Sequence, residues 1–378
     1  MARGKAKRRS GSRTAGRPAG TWKRVLPGLL VLLALLLIPL GMLGWSWLKL
    51  QRPYQGYAGD ERIVQIEPGM GASQILERLQ QEGVLADARL ARSYLIYFMD
   101  SSAMQAGEYR FRGPLTTPQV LRMLVKGRVL THSITVIEGL TLEEIATQLD
   151  RAGYGRRQAF LDLMRSPALV ADLDPEAQDL EGYLFPETYS FARSVNERTI
   201  VQAMVRTFRK RFEKEVRPLF DRNGGGRTVR QLVTLASIVE KEAQVATERP
   251  LIAAVYRNRL DRGIGLMADP TVIYALKRAG RWNGNIRRDD LRMESPYNTY
   301  RYAGLPPGPI CNPGLASLVA AAEPAEAPYF YFVSRNDGTH VFAETLAEHN
   351  RNVNQWQRKY WREKRAQERL QRQGNQGR

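Results

Sequence analysis

The chain has one cysteine and three histidines. A single thiol, Cys311, forbids an intramolecular disulfide in any compartment, so stability must come from burial. The sparse Cys and His set offers no zinc-ligand spacing. RNP-like aromatic motifs and Gly-Lys phosphate loops are also missing, which removes the usual signatures of nucleic-acid and nucleotide binding. Acidic residues are absent from the N-terminal segment, where Arg3, Lys5, Lys7, Arg8, Arg9, Arg13, Arg17, Lys23 and Arg24 stand alone. These nine cations make up nearly half of the formal charge of +19, so the overall basicity is a poor argument for a nucleic-acid partner. A basic domain outside the cytoplasm suits an anionic membrane surface or an anionic polymer instead.

The basic segment runs into an uncharged apolar stretch, Val25–Leu48, of 24 residues. About 20 helical residues cross a hydrocarbon core. Pro27, Pro39 and Gly41 are tolerated in such helices. A cleaved signal peptide has an apolar region of only ~7–15 residues and a small-residue cleavage site, whereas this stretch ends in Trp45, Ser46, Trp47, Leu48 and Lys49. Trp22, Trp45 and Trp47 sit where interface anchors belong, and the cations before the span keep the N-terminus cytoplasmic. The expectation is a single-pass protein of the cytoplasmic (inner) membrane, with everything from about Gln51 outside the cytoplasm.

Roughly 325 residues then remain, enough for two or three modules. Residues 49–61 read as a linker. Arg62–Glu67 alternates like a strand, Ser73–Gln81 and Ala88–Met99 have helical spacing, Glu108–Phe111 is a short strand and Thr117–Val125 a helix. This β-α-α-β pattern over residues 62–130 resembles LysM-type glycan-binding units. His132–Glu138 alternates again, and Thr141 with Glu144 forms a capping box. Asn196–Phe220 reads as one long basic amphipathic helix. The Gly69–Met70–Gly71 and Gly224–Gly225–Gly226 clusters read as turns. Tyr329–Val333, Asn336–Asp337–Gly338 and His340–Phe342 make a hairpin signature, and the charged segment 351–378 a terminal helix or tail. The fold class expected is α+β: one transmembrane helix, a small LysM-like α/β module, and a mainly helical domain with short β hairpins over residues 131–350.

The chemistry concentrates after Thr228, which with Gln231 caps a helix through Ala243. Leu235, Ile238 and Val239 lie seven, four and three residues before Glu242, on the same helix face, while Glu240 points to the other side. A carboxyl group on an apolar stripe has its charged form desolvated. Thr247 with Pro250 starts the next helix, so Glu242 lies in the last turn of its own, where the negative helix end acts in the same direction. Both effects favour a protonated carboxyl near neutrality, as a general acid requires. A structural Glu242 paired with Arg249 or Arg257 fits the same periodicity.

ASIVEKEA (Ala236–Ala243), ADPTVIYAL (Ala268–Leu276), SPYNTY (Ser295–Tyr300), GLPPGPICNPG (Gly304–Gly314) and YFYFV (Tyr329–Val333) occur here in the order and spacing of the endolytic murein transglycosylase family, also called YceG-like, which this chain resembles over most of its external part. The resemblance implies a lyase that cuts nascent peptidoglycan strands internally, at the bond from N-acetylmuramic acid to N-acetylglucosamine, and leaves a 1,6-anhydro end. It implies that the second Glu of the E-K-E triplet, Glu242, is the one catalytic carboxylate, serving as acid and then as base. No metal or cofactor is expected. The expected partners are glycan strands, the membrane and peptidoglycan synthases, with nucleic acid excluded. Asp269, Tyr297, Asn298 and Tyr300, together with Glu187 and Tyr189 of LFPETY (Leu184–Tyr189), offer polar groups for sugar hydroxyls or acetamides; Asp269 followed by Pro270 also fits a helix N-cap. Two other readings use the same residues. A thiol hydrolase would need Cys311, His340, His349 and Asn312 together, with little to activate the thiol. A non-catalytic peptidoglycan-binding scaffold for synthases would account for the anchor and the first module but not for Glu242.

The topology is open to test. A tag after Arg378 should be reached by protease added outside the cytoplasmic membrane; cleavage only after that membrane is lysed would invert the assignment.

Overall fold

A computed structural model describes residues 22–99, 104–223, 225–362 and 364–365. Residues 1–21 of the basic segment 1–24, Gly224 of the triple-glycine turn and residues 366–378 of the charged tail lie outside the described residues. The first element, α1 (Trp22–Gln51), is one helix. Its stretch Leu30–Gln51 is long and apolar enough to cross a membrane, and its large side chains from Leu30 to Leu43 stand exposed. Pro39 lies inside the helix without ending it.

The chain divides into two units, the first ending at Leu130 and the second beginning at Thr131. In the first, β1 (Glu61–Ile66) pairs antiparallel with β2 (Gly107–Arg112), with Val64 opposite Tyr109. The alternation that marks these strands places Val64, Ile66, Tyr109 and Phe111 on the buried face. Three helices close over it: α2 (Ala72–Gln81), α3 (Ala88–Phe98) and α4 (Thr117–Val125). Asp87 caps α3 by accepting from the Leu90 amide, and Thr116 with Gln119 forms a capping box at α4. Leu76, Leu79, Leu95, Val120 and Leu124 complete this core.

The second unit is mostly helical, with two short two-stranded antiparallel sheets among the described residues, of which only the second is a hairpin. One joins β3 (His132–Thr135) to β4 (Thr188–Phe191), with Ile134 opposite Tyr189. Between them lie α5 (Leu142–Arg151), opened by the Thr141–Glu144 capping box, and α6 (Arg157–Met164). The expected single helix over Asn196–Phe220 is α7 (Glu197–Arg211) and α8 (Arg217–Asn223), joined by a π turn at Phe212–Val216. Phe208, Phe212, Val216 and Phe220 recur every fourth residue, a spacing that drifts about 40° per step on a regular α-helix. The wider π turn offsets that drift and keeps all four in the core.

Helix α9 (Val229–Glu242) is the axis of this unit. Thr228 and Gln231 cap it reciprocally, and every residue from Leu232 to Val239 is buried. A helix apolar all round must be enclosed, and α9 is enclosed by α10 (Arg249–Asp261), α11 (Asp269–Arg278) and α12 (Leu315–Ala322). The start of α10 differs from expectation: a 3-10 turn at Ala246–Glu248 precedes it, and Thr247 does not cap it. The Asn336–Asp337–Gly338 turn joins β5 (Tyr331–Ser334) to β6 (His340–Ala343), with Asn336 and Gly338 at positive φ of 66° and 91°. Helix α13 (Leu346–Val353) follows.

A buried polar knot ties these pieces together. Asn312 Oδ1 accepts from the amides of Gly182 (3.0 Å) and Leu184 (2.8 Å), while its Nδ2 donates to Leu140 O and to Glu181 Oε1, each at 3.0 Å. Glu181 also accepts from the Leu142 amide and the Tyr274 hydroxyl. Because an unpaired buried amide costs about 1–3 kcal/mol and several would be orphaned together, Asn312→Ala should destabilise the second unit by about 3 kcal/mol or more. Urea denaturation that gave less than about 1 kcal/mol would show that water replaces the side chain.

Candidate active site

Glu242 is the last residue of α9, and Leu235, Ile238 and Val239 on its own face are all buried. Its Oε1 accepts a 3.0 Å hydrogen bond from the hydroxyl of Tyr256, a fully buried residue of α10. Among the described residues no basic group forms an ion pair with Glu242. Burial raises its pKa, the Tyr256 hydroxyl partly offsets the rise, and the negative charge of nearby Asp269 adds to it; the result is about 7. Burial, and then the Glu242 charge, hold the Tyr256 phenol well above its ordinary value, so it stays a donor.

Of the two arginines that sequence offered to Glu242, neither pairs with it, and Arg249 belongs to Glu240. Arg249 Nη2 lies 3.3 Å from Glu240 Oε1, and the Gly314 amide donates to Glu240 Oε2 at 2.9 Å. Both side chains of that pair are largely enclosed, at 14% and 6% exposure for Arg249 and Glu240. Lys241 donates to Gly139 O, and Arg259 is held by the carbonyls of Phe330, Gly265 and Leu266. The two carboxylates of the E-K-E triplet therefore differ in kind: one is locked to an arginine and an amide, the other bonded to a neutral phenol.

Asp269 opens α11 but does not cap it. The N-cap is Ala268, Asp269 is the first helical residue, and Pro270 follows. The Asp269 carboxylate instead accepts from the Tyr300 hydroxyl at 2.6 Å. SPYNTY builds this contact. The Thr299 hydroxyl accepts from the Ala268 amide at 3.0 Å and lies 2.9 Å from the Thr271 hydroxyl, and Thr299 O accepts from the Met267 amide. Met267 takes a left-handed φ of 50° in the turn so pinned.

The remaining sequence candidates are placed elsewhere. Asn298 is fully buried; its Nδ2 donates to Leu291 O and Met293 O, and its Oδ1 accepts from the Tyr300 amide, so it shapes the turn and has no free polar group for a sugar. Tyr189 sits in the core with its hydroxyl donating to Phe185 O at 2.6 Å, and burial pushes its pKa up to about 12. Glu187 pairs with Arg211 at 3.2 Å. Tyr297 packs on Tyr274 (5.0 Å between ring centres) and accepts from Arg278. Tyr274 and Arg278 line a cavity of about 1030 Å³ with Thr141, Glu144, Glu181 and Lys277, and Glu242 is not in its wall. Sequence reasoning missed Tyr256. Its placement between Val255 and Arg257 gave no signal beyond an aromatic on an apolar helix, and only the fold aims its hydroxyl at Glu242.

The thiol alternative has no geometry. Cys311 is fully buried with its Sγ donating to Ser237 O at 3.3 Å, and burial raises its pKa well above normal. His340 pairs with Glu248 at 2.7 Å, and His349 stacks on Tyr331.

Comparison with known proteins agrees with this architecture. The YceG-like family model matches residues 64–355. The endolytic murein transglycosylase of Bacillus subtilis (strain 168) is 32% identical over 308 residues, covering 76% of this chain and 82% of the relative. The protein of the same name from Streptococcus pneumoniae serotype 2 is 29% identical over 321 residues, covering 77% of this chain but 57% of the relative. The crystal structure of a yceG-like protein from Listeria monocytogenes superposes with a TM-score of 0.53 at 32% identity, over 78% of this chain and 99% of that one. The chain belongs to the YceG-like family.

Two variants separate the roles of the carboxylates. Glu242→Gln keeps an acceptor for Tyr256 but removes the proton, so activity on murein should fall by at least ~10²–10⁴. A carboxyl whose folded pKa is raised from 4.5 to about 7 destabilises the fold above that window and not below it. The melting temperature of Glu242→Gln should therefore exceed wild type at pH 8, with the gap closing towards pH 4. Glu240→Gln would present an amide NH₂ to the Gly314 amide and leave Arg249 without its counter-charge. It should lose about 3 kcal/mol of stability while the folded fraction stays active. A stable, inactive Glu240→Gln beside an active Glu242→Gln would reverse the assignment.

Proposed function

We propose that the chain is a single-pass membrane-anchored lytic transglycosylase that cuts murein strands internally, with Glu242 as its one acid–base group. The observation that carries this reading is a carboxyl at the end of α9 with a pKa of about 7 and a phenol, not a cation, as its partner. A general acid works best when its pKa lies near the operating pH.

In the reaction, the Glu242 proton goes to the oxygen joining C1 of N-acetylmuramic acid to N-acetylglucosamine, and the C1–O bond breaks. Glu242, now a carboxylate steadied by the Tyr256 hydroxyl, takes the proton of the muramyl C6 hydroxyl as O6 bonds to C1. A 1,6-anhydro ring forms, the carboxyl is regenerated and no water is consumed. The attacking hydroxyl belongs to the same sugar, which carries the entropic advantage of an intramolecular step. Asp269, fixed by Tyr300, supplies negative potential where C1 becomes cationic and also helps keep Glu242 protonated. Asn298 and Thr299 act by holding Tyr300 and the start of α11.

In this reading α1 anchors the protein with its N-terminus in the cytoplasm, as the basic segment requires. Within the first unit, residues 62–130 serve as a LysM-like glycan-binding module. Residues 131–350 form the catalytic domain, and a strand cut while still growing would place the enzyme beside the synthases.

Mass spectrometry of products released from peptidoglycan tests the chemistry. Anhydro ends, one water lighter than reducing ends, are expected. Reducing ends would make the enzyme a hydrolase. The rate should decline as pH rises through about 7, and Asp269→Asn should move that decline to lower pH.

A further inference from the structure

Helix α3 changes character along its length, not around its circumference. Ala88, Ala91 and Leu95 face the core of the first unit, while the exposed positions of the first turns are Arg89, Arg92 and Ser93. In the last turn the exposed residues are Ile96 (58%), Tyr97 (80%) and Phe98 (64%). A soluble helix shows a polar stripe along its whole outer face. A polarity that switches with height instead suits a helix whose end enters a slab of different polarity.

The apolar end adjoins α1 at the level where α1 leaves its apolar stretch. Trp47 of α1 lies 6.2 Å from Tyr94 and 5.9 Å from Phe98 between ring centres, and those two rings stack at 5.0 Å. Leu48 is the last apolar residue before Lys49, whose ammonium sits 3.9 Å over the Trp45 ring. Tryptophan, tyrosine and a lysine reaching past them are the side chains that collect at a membrane–water interface. α4 also packs on α1. Its exposed Arg122, with Lys126 and Arg128 just beyond its end, lines a groove of about 400 Å³, a charge pattern that suits anionic headgroups.

We propose that the last turn of α3, with Trp47, is an interfacial seat in the lipid bilayer. Tyr94, Ile96, Tyr97 and Phe98 lie at the boundary of headgroups and acyl chains, and the first unit is held on the membrane surface. The occupant of this exposed face is lipid, because the face is continuous through Trp47 with a helix that already fits a bilayer. The proposal rests on the reading that α1 spans the membrane.

Depth-dependent quenching tests both statements separately. The full chain is labelled with an environment-sensitive fluorophore at Tyr97→Cys, Leu35→Cys or Glu77→Cys and reconstituted at low density in phosphatidylcholine–phosphatidylglycerol vesicles carrying nitroxides at a shallow or a deep acyl position. These sites are exposed and the native Cys311 is buried, so each variant should fold and take one label. The Leu35 label should be quenched by the deep nitroxide, the Tyr97 label several-fold more by the shallow one, and the Glu77 label by neither. Deep quenching at Leu35 with Tyr97 no more quenched than Glu77 overturns the seat and leaves the span standing. No quenching at Leu35 removes the span and the proposal with it. A Tyr97 label shielded from lipid but transferring energy to a second labelled copy would make the face a contact between chains, which also overturns it.

Discussion

A carboxylic acid that must keep its proton near neutrality tolerates apolar walls and hydroxyl groups but not a neighbouring cation, since one ion pair would pull its pKa back down. The constraint is demanding in a chain with 57 Lys and Arg against 38 Asp and Glu. The structure gives three cations of the surrounding elements another anion or carbonyl. Arg249 goes to Glu240, Arg259 to three backbone carbonyls and Lys241 to Gly139 O. The E-K-E triplet is thus a division of labour: its first glutamate neutralises an arginine so that its second can remain unpaired.

The rest of the second unit holds that arrangement still. α9 is enclosed on all sides from Leu232 to Val239, so the position of its last residue is set by packing of the whole helix. Tyr256 comes from α10, and its ring meets Phe332 of the terminal hairpin edge-on at 5.8 Å. Asp269 is presented by a turn that Thr299 pins from outside α11. Tyr256 bonds the Glu242 carboxyl directly, Phe332 supports it through the Tyr256 ring, and Thr299 and Tyr300 act through the start of α11 and Asp269.

Much of this was legible beforehand, where the signal was local. The capping boxes at Thr141 and Thr228, the hairpin at Asn336–Asp337–Gly338 and the different faces of Glu240 and Glu242 follow from side chains a few residues apart. Whatever depended on a hydrogen-bond partner distant in sequence was not. Asn298 and Tyr189 look like sugar ligands because their polar groups are visible and their backbone partners are not. Asp269 reads as a cap because Pro270 follows it, but Tyr300, thirty-one positions on, takes its carboxylate. The pairing of Arg249 with Glu240 depends on how α10 crosses α9, and spacing alone left Glu242 an equal candidate. The π turn in the α7–α8 helix was hidden for another reason: a four-residue apolar repeat looks helical until its drift is followed over several turns.

The protonation of Glu242 is the decisive property, and infrared difference spectroscopy can observe it without substrate. With ¹³C-labelled glutamate, subtracting the spectrum of Glu242→Gln from that of wild type isolates one carboxyl band. A protonated C=O stretch is expected at pH 6, lost with a midpoint near 7. A carboxylate band already complete at pH 6, with a midpoint near the ordinary 4.5, would contradict it.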